Sequence, residues 1–561
     1  MSKRFVLITL VLSFLFIFSQ IIKSQSKNDG ALPNLSGEKA IEKLKEAGQY
    51  DSLSEAFKAT RKHLVSVNNL GGGWTQEAQK VAAGGAINDS FGKSVAIDGD
   101  TAVIGAWFDD IGANVDQGSA YVFVRSGTTW TQQAQLNHAG GEANDYFGIS
   151  VAIDGDTVVV GAYLDDLFET DQGSAVVFTR SGVTWSQQAQ LFLLSGAAND
   201  QFGVSVAIDG NTAVIGAFQD DLGSNDQGSA YVFTRSGVSW TLQQQLAATG
   251  GTFGDQFGVS VGVSGNTAIV GAFADDVGAN NNQGSAYIFT RSGVTWTQQG
   301  QLTASDGATD DQFGESVSIS GESVIVGSSL DNIGANSNQG SAYVFVRSGV
   351  TWTQQQKLTA VDGAAEDVFG GSVAIDGNIA IIGAYQANIG ANGDQGAAYI
   401  FSRSGSTWTQ DQKITATGGA AGDQFGLSVA IFGNRTIVGA PSSDASVSVP
   451  FADNFTPNAA NQGAMFVFFN TLIPTAAEVS VSGRVLTPTG AGLQNAVVYL
   501  TKPNGEIIQT RTTTFGYYQF KSLEAGQTVT VQVNSKRFTF TPQLVFLEDN
   551  IADLDFTANP F

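Results

Sequence analysis

Paired aspartates recur along this chain: Asp109-Asp110, Asp165-Asp166, Asp220-Asp221 and Asp275-Asp276, with Asp331-Asn332 as a variant. Adjacent carboxylates can trade a proton in general acid–base catalysis or offer hard oxygen ligands to a cation such as calcium. In the first copy Asp109, Asp110, Asn114 and Asp116 would supply the oxygens. Recurrence in several copies argues for cation binding or solvated loop chemistry and against a single catalytic centre. The rest of the chain is poor in reactive groups. Two histidines and no cysteine leave no thiol nucleophile, thiolate metal site or disulfide framework. No convergent acid, base and nucleophile can be assembled, and calcium is the one cofactor these residues could take.

The elements that carry the pairs repeat. Phe-Gly occurs at Phe91, Phe147, Phe202, Phe257, Phe313, Phe369 and Phe425, in steps of 55 or 56 residues. A fixed period in this range, built only of strand-like runs, signals a solenoid, a propeller or an array. Each copy reads as four strands, for example Ser150–Ile153, Thr157–Ala162, Gly173–Phe178 and Thr184–Leu191. Val, Ile, Phe, Tyr and Thr fill them, and Gly, Asn, Asp and Ser separate them. Four strands taken seven times predict an all-β fold with a seven-bladed β-propeller. The array is offset by one strand. An Arg-Ser-Gly turn precedes Trp130, Trp185, Trp240, Trp296, Trp352 and Trp408, but not Trp74, and none follows Phe468. Trp74–Gln79 is therefore expected to supply the last blade's missing outer strand and close the ring.

Strand order sorts the loops onto two faces. First-to-second turns such as Asp98-Gly99 are two-residue hairpins and share a face with the arginine turns. The aspartate pairs and the loops ending in Asp-x-Phe-Gly lie on the other. Phe-Gly reads as structural: a ring for the core, then a glycine where backbones approach closely. The aspartate two places earlier (Asp89 to Asp423) reads as a cap on its own turn, and the tryptophans as outer-strand packing. One copy breaks the pattern. Phe91 to Gln117 spans 117 − 91 = 26 residues, whereas Phe425 to Gln462 spans 462 − 425 = 37. The excess, Pro441–Asn461, carries Phe451, Asp453 and Phe455, aromatic and acidic side chains suited to ligand binding.

At the N-terminus Lys3 and Arg4 precede an apolar run, Phe5–Phe18, too short to span a bilayer and fit for a signal peptide over 1–26. A short helical N-terminal segment, a spacer, is expected over 27–70, where Ser52-Leu-Ser-Glu55 has capping-box spacing. With 27 basic and 51 acidic residues the net charge is −24, which argues against nucleic acid as a partner. No membrane insertion of the mature chain is expected.

Phe-Gly followed one strand later by Gly-Ala, spelled in full as Gly439-Ala440-Pro441 in the last copy, resembles the FG-GAP repeats of integrin α subunits. The resemblance covers 71–472 and implies a propeller used in recognition or adhesion. That family holds calcium between the first and second strands; here the position has shrunk to turns such as Asp98-Gly99, so those ligands do not carry over. After a linker, 476–561 is similar to the carboxypeptidase regulatory-like (transthyretin-like) β-sandwich, through Ser482-Gly-Arg-Val, Asn495-Ala-Val-Val-Tyr-Leu and Gly516-Tyr-Tyr-Gln-Phe. The expectation is a non-enzymic, secreted or cell-surface protein that binds an extracellular protein or glycan. A secreted propeller enzyme acting on polysaccharide and a purely structural surface component stay open at this stage.

Overall fold

β-Branched side chains pack well on a pleated surface, and glycines take the left-handed turn conformations between such runs. In this chain the two alternate throughout. The computed structural model describes residues 73–444 and 461–470, and in the C-terminal part 478–488, 490–502, 507–524, 528–535, 537–546, 551 and 554–558. The signal-peptide region, the helical spacer and Phe451, Asp453 and Phe455 lie outside the described residues. Among the described residues every regular element is a strand, and no helix is long and apolar enough to cross a membrane.

Each repeat forms one antiparallel four-stranded sheet. In blade 1 the strands Phe91–Asp98, Thr101–Ala106, Ser119–Ser126 and Thr129–Leu136 pair in that order. Blades 2 to 6 repeat it as far as Thr407–Ile414. Blade 7 combines Ser428–Phe432, Arg435–Ala440 and Ala464–Asn470 with Trp74–Lys80 from the other end of the array. That last pairing is antiparallel, with Trp74 opposite Asn470 and Lys80 opposite Met465. The first strands touch their neighbours' first strands around a closed circuit, which places them innermost. The result is a seven-bladed propeller closed by its N-terminal strand.

The two glycine motifs meet at every seam. Each Phe of Phe-Gly is fully buried, and Phe91 lies edge-on to Tyr121 and Phe123 at 5.5 and 5.9 Å. Its glycine counterpart in blade 2, Gly148, has φ +99°, and a Cβ there would sit 2.3 Å from the Ser119 carbonyl oxygen. A Cβ on Gly105, the glycine of blade 1's Gly-Ala, would sit 1.9 Å from the Gly148 oxygen. The motifs recur together because each is the other's clearance.

The outer strands add a device of their own. In blades 1 to 6 the third and fourth strands share a one-residue bulge, between Val122 and Phe123 in blade 1, and bulges re-aim side chains. The skipped residue, Gln133, accepts the indole N–H of Trp185 in the next blade at 2.8 Å. Gln188, Gln243, Gln299 and Gln355 do the same for Trp240, Trp296, Trp352 and Trp408. The tryptophans thus join blades, and the guanidinium of each preceding arginine stacks over the indole, as Arg180 does at 5.1 Å over Trp185.

The C-terminal part is a two-sheet sandwich. One sheet orders Ile507–Arg511, Val497–Thr501, Thr528–Asn534 and Gln543–Phe546; the other orders Tyr517–Glu524, Glu478–Leu486 and Phe556–Thr557. Val481, Val485, Val498, Leu500, Phe520 and Val531 form its shared core.

Candidate functional site

The paired aspartates divide their labour inside the protein. The first of each pair is buried, half-buried in the case of Asp220, and accepts hydrogen bonds from the third and fourth strands. Asp109 takes Ser119, Tyr121 (2.7 Å) and Gln135 (3.0 Å). Asp165 takes Ser174 and Gln190, Asp220 takes Ser229, Tyr231 and Gln245, and Asp275 takes Tyr287 and Gln301. The second closes its loop by accepting a backbone N–H five or six residues on: Asp110 from Asp116 (2.9 Å), Asp166 from Asp171, Asp221 from Asp226 and Asp276 from Asn282. The donors have φ near +50°, a conformation Asp and Asn tolerate. Asn114 donates to Gln117 and to the Gly141 carbonyl. Nine of the ten residues singled out for calcium therefore engage a structural partner through their side chains, and Asp116 does so through its backbone N–H. Among the described residues, one set of three imidazole or carboxylate groups brings its ligand atoms within 4.8 Å of one another, and it is His138, Asp145 and Asp165. Of these, Asp165 is one of the expected calcium ligands, Asp145 one of the expected turn caps, and His138 neither.

The aspartate before each Phe-Gly does cap its turn. Asp89 accepts Ala86 N–H, Asp145 accepts Glu142 N–H (2.6 Å), and Asp423 accepts Ala420 N–H (2.8 Å). Burial pushes Asp89, Asp200 and Asp311 up to about 6, against the single bond each accepts from the backbone.

The symmetry breaks at the axis. The residue after Phe-Gly opens each innermost strand at the long-loop end, and in blade order these are Lys93, Ile149, Val204, Val259, Glu315, Gly371 and Leu427. Two are charged, with opposite signs, and each feels the other across the ring. Burial holds Lys93 below its ordinary range and Glu315 above it. Ser329 donates its hydroxyl to Glu315, and the Tyr385 ring lies against Gly371, where a Cβ would sit 3.1 Å from it.

On the other side the residues that follow Gly-Ala, joined by Tyr146 just before Phe-Gly, build an aromatic arc. Lys93 Nζ lies 4.7 Å above Trp107. Trp107 meets Phe108 at 4.1 Å and Tyr146 at 5.4 Å, and Tyr146 stacks on Tyr163 at 5.9 Å. All are half-buried. Aromatic faces set around one lysine and one carboxylate can stack on apolar ring faces while hydrogen-bonding polar substituents. Sequence reasoning missed these residues because periodicity selects what repeats. The column after Phe-Gly, read for the positions that differ, is the signal that marks Lys93 and Glu315.

The base of the blade 7 insertion is visible, although 445–460 is not among the described residues. Asp444 accepts Asn461 N–H at 2.7 Å, the same staple the other blades use, and Asn461 donates to Asn88 of the neighbouring seam at 3.1 Å. Three exposed apolar side chains, Phe168, Leu194 and Phe253, stand on the long loops of blades 2 and 3.

A closed ring of seven four-stranded sheets, each carrying Phe-Gly at its inner edge, defines a seven-bladed β-propeller. The chain belongs to the FG-GAP repeat family, whose match covers 74–123, 130–178, 185–233, 240–289, 296–345, 352–401 and 408–468. A carboxypeptidase regulatory-like domain matches 480–559. Comparison with curated proteins returns no match.

Proposed function

We propose that this is an exported, non-enzymic recognition protein whose axial mouth on the long-loop face binds an extracellular glycan. FG-GAP propellers commonly serve adhesion or recognition, and the carrying observation is the Lys93–Trp107–Tyr146–Tyr163 arc set against Glu315. Sugars present apolar ring faces for stacking and hydroxyls for a partly desolvated lysine and carboxylate. One charge of each sign suits a neutral ligand better than a polyanion. Fold alone does not assign function, so the reading rests on this cluster. The test is a glycan-array screen of residues 27–561, followed by Trp107→Ala and Lys93→Ala. Loss of an aromatic contact of about 1–1.5 kcal/mol weakens binding roughly tenfold. Array-wide silence, or hits that both variants retain, would defeat the reading.

A second reading places protein recognition on the insertion through Phe451, Asp453 and Phe455. The stapled base at Asp444–Asn461 favours it, since a loop held at its root presents its tip at low entropic cost. Binding that withstands the axial substitutions but is lost in Phe451→Ser/Phe455→Ser would select it.

A further inference from the structure

His138 stands where the other blades carry Ala82, Leu193, Ala248, Ala304, Ala360 and Ala416. It is 4% exposed, packed beside the ring of Phe147, and both its ring nitrogens lack a hydrogen-bond partner. A second departure lies next to it. The tyrosine whose hydroxyl serves the first aspartate in blades 1, 3, 4 and 5 is replaced in blade 2 by Val176. Asp165 has therefore lost its phenol donor and gained an imidazole, whose Nδ1 lies 3.7 Å from Asp165 Oδ2. Asp145, from the loop that leads into the same seam, brings a second carboxylate, and ligand atoms of all three residues lie within 4.8 Å of one another.

We propose that the seam between blades 1 and 2 binds one divalent transition-metal ion of the zinc class on His138, Asp145 and Asp165. An unpartnered imidazole in a dry seam is costly, and a cation gives it a partner while offsetting the charge of the two carboxylates beside it. Tetrahedral bonds of about 2.0–2.1 Å set ligand atoms roughly 3.4 Å apart, close to the 3.7 Å already present. Both carboxylates are held from outside as metal ligands usually are: Asp165 by Ser174 and Gln190, Asp145 by the Glu142 N–H. One nitrogen and two oxygens suit zinc, cobalt or manganese; calcium takes six to eight oxygens and does not select imidazole. Three protein ligands leave a fourth position for water.

The test is titration of chelator-treated protein with Co²⁺ and then Zn²⁺, read by visible absorption and calorimetry. Wild type takes up one equivalent, with tetrahedral cobalt bands that zinc displaces and excess calcium does not. The comparison protein is His138→Ala/Val176→Tyr, which restores the alanine and tyrosine of the ordinary seam and so preserves the fold. It loses affinity by more than the roughly 10–100-fold that follows removal of a merely supporting contact. Asp145→Asn does the same with the imidazole intact. Wild type without stoichiometric uptake, or a double variant that binds as wild type does, overturns the proposal.

Discussion

The five seams joining blades 1 to 6 and the seam that closes the ring between blades 7 and 1 do the same job with different chemistry. In each of the five, a bulged glutamine takes the next blade's indole N–H. A backbone-anchored arginine also reaches back to a hydroxyl in the preceding blade, as Arg180 does to Thr101 (3.1 Å) and Arg403 to Ser323 (2.9 Å). At the closing seam the glutamine position is Glu77 and the hydroxyl position is Arg435. They pair with each other at 3.1 Å, both largely buried, and leave the buried Trp130 indole N–H without a partner. The turn bond that holds neighbouring blades elsewhere, such as Asp98 to Gly155 N–H (2.6 Å), has no counterpart where Phe432 replaces the aspartate. What survives at all seven is the glycine-to-glycine approach, Gly439 against Gly92 at closure, with the buried Phe beside it. Backbone clearance and ring burial are the common requirement; the polar ladder is interchangeable.

The largest test of that contrast removes the closing strand. Deleting residues 27–80 strips blade 7 of its outer strand and bares two edges, so the protein is expected to lose its single cooperative melt and to self-associate in sedimentation experiments. A monomer with unchanged melting would show that closure contributes nothing.

Glu77→Gln leaves Arg435 buried without its counter-charge, a loss of about 3–5 kcal/mol by the usual cost of breaking such a pair. Adding Arg435→Thr rewrites the seam in the ordinary language. The introduced carboxamide then faces the Trp130 indole and the introduced hydroxyl faces Arg125, and most of the loss is recovered in denaturant unfolding. A double variant no better than the single would mean the two chemistries are not interchangeable.

Acidity acts on several seams together. Asp89, Asp200 and Asp311 have folded values near 6, above the ordinary 3.8, because burial disfavours their charge. Their protonated forms therefore favour folding. That stability is complete below about 3.8 and is lost as pH rises through about 6. The melting temperature should be higher at pH 5 than at pH 7.5, and the reverse ordering would contradict the burial argument.

The smallest effect is the most local. Trp240→Phe removes a bonded indole N–H and Trp130→Phe an unbonded one, so the first should cost about 1 kcal/mol more than the second. Equal losses would mean that the inter-blade bonds are energetically silent.

Much of this was legible in the chain itself. The 55–56-residue period, the displaced Trp74 strand and the Asp-Gly turns carried the blade count, the closure and the two faces. They could, because strand alternation and turn chemistry act over a few residues and repeat seven times. The aspartate pairs were legible as residues but not as roles. Ser119, Tyr121 and Gln135 reach Asp109 from two other strands, and such partners are invisible until the sheet is assembled.

Sequence alone thus determined the ring, because seven four-strand copies with one outer strand displaced to the other end of the array cover their edges by closing. Tertiary structure alone decided where the ring stops being symmetric. Lys93 and Glu315 are 222 positions apart (315 − 93), yet they interact across one axial mouth. His138 and Asp165 belong to different blades, yet they share one dry seam. Closure converts distance along the chain into angle around an axis, and which one-off residues face each other is a property of that angle.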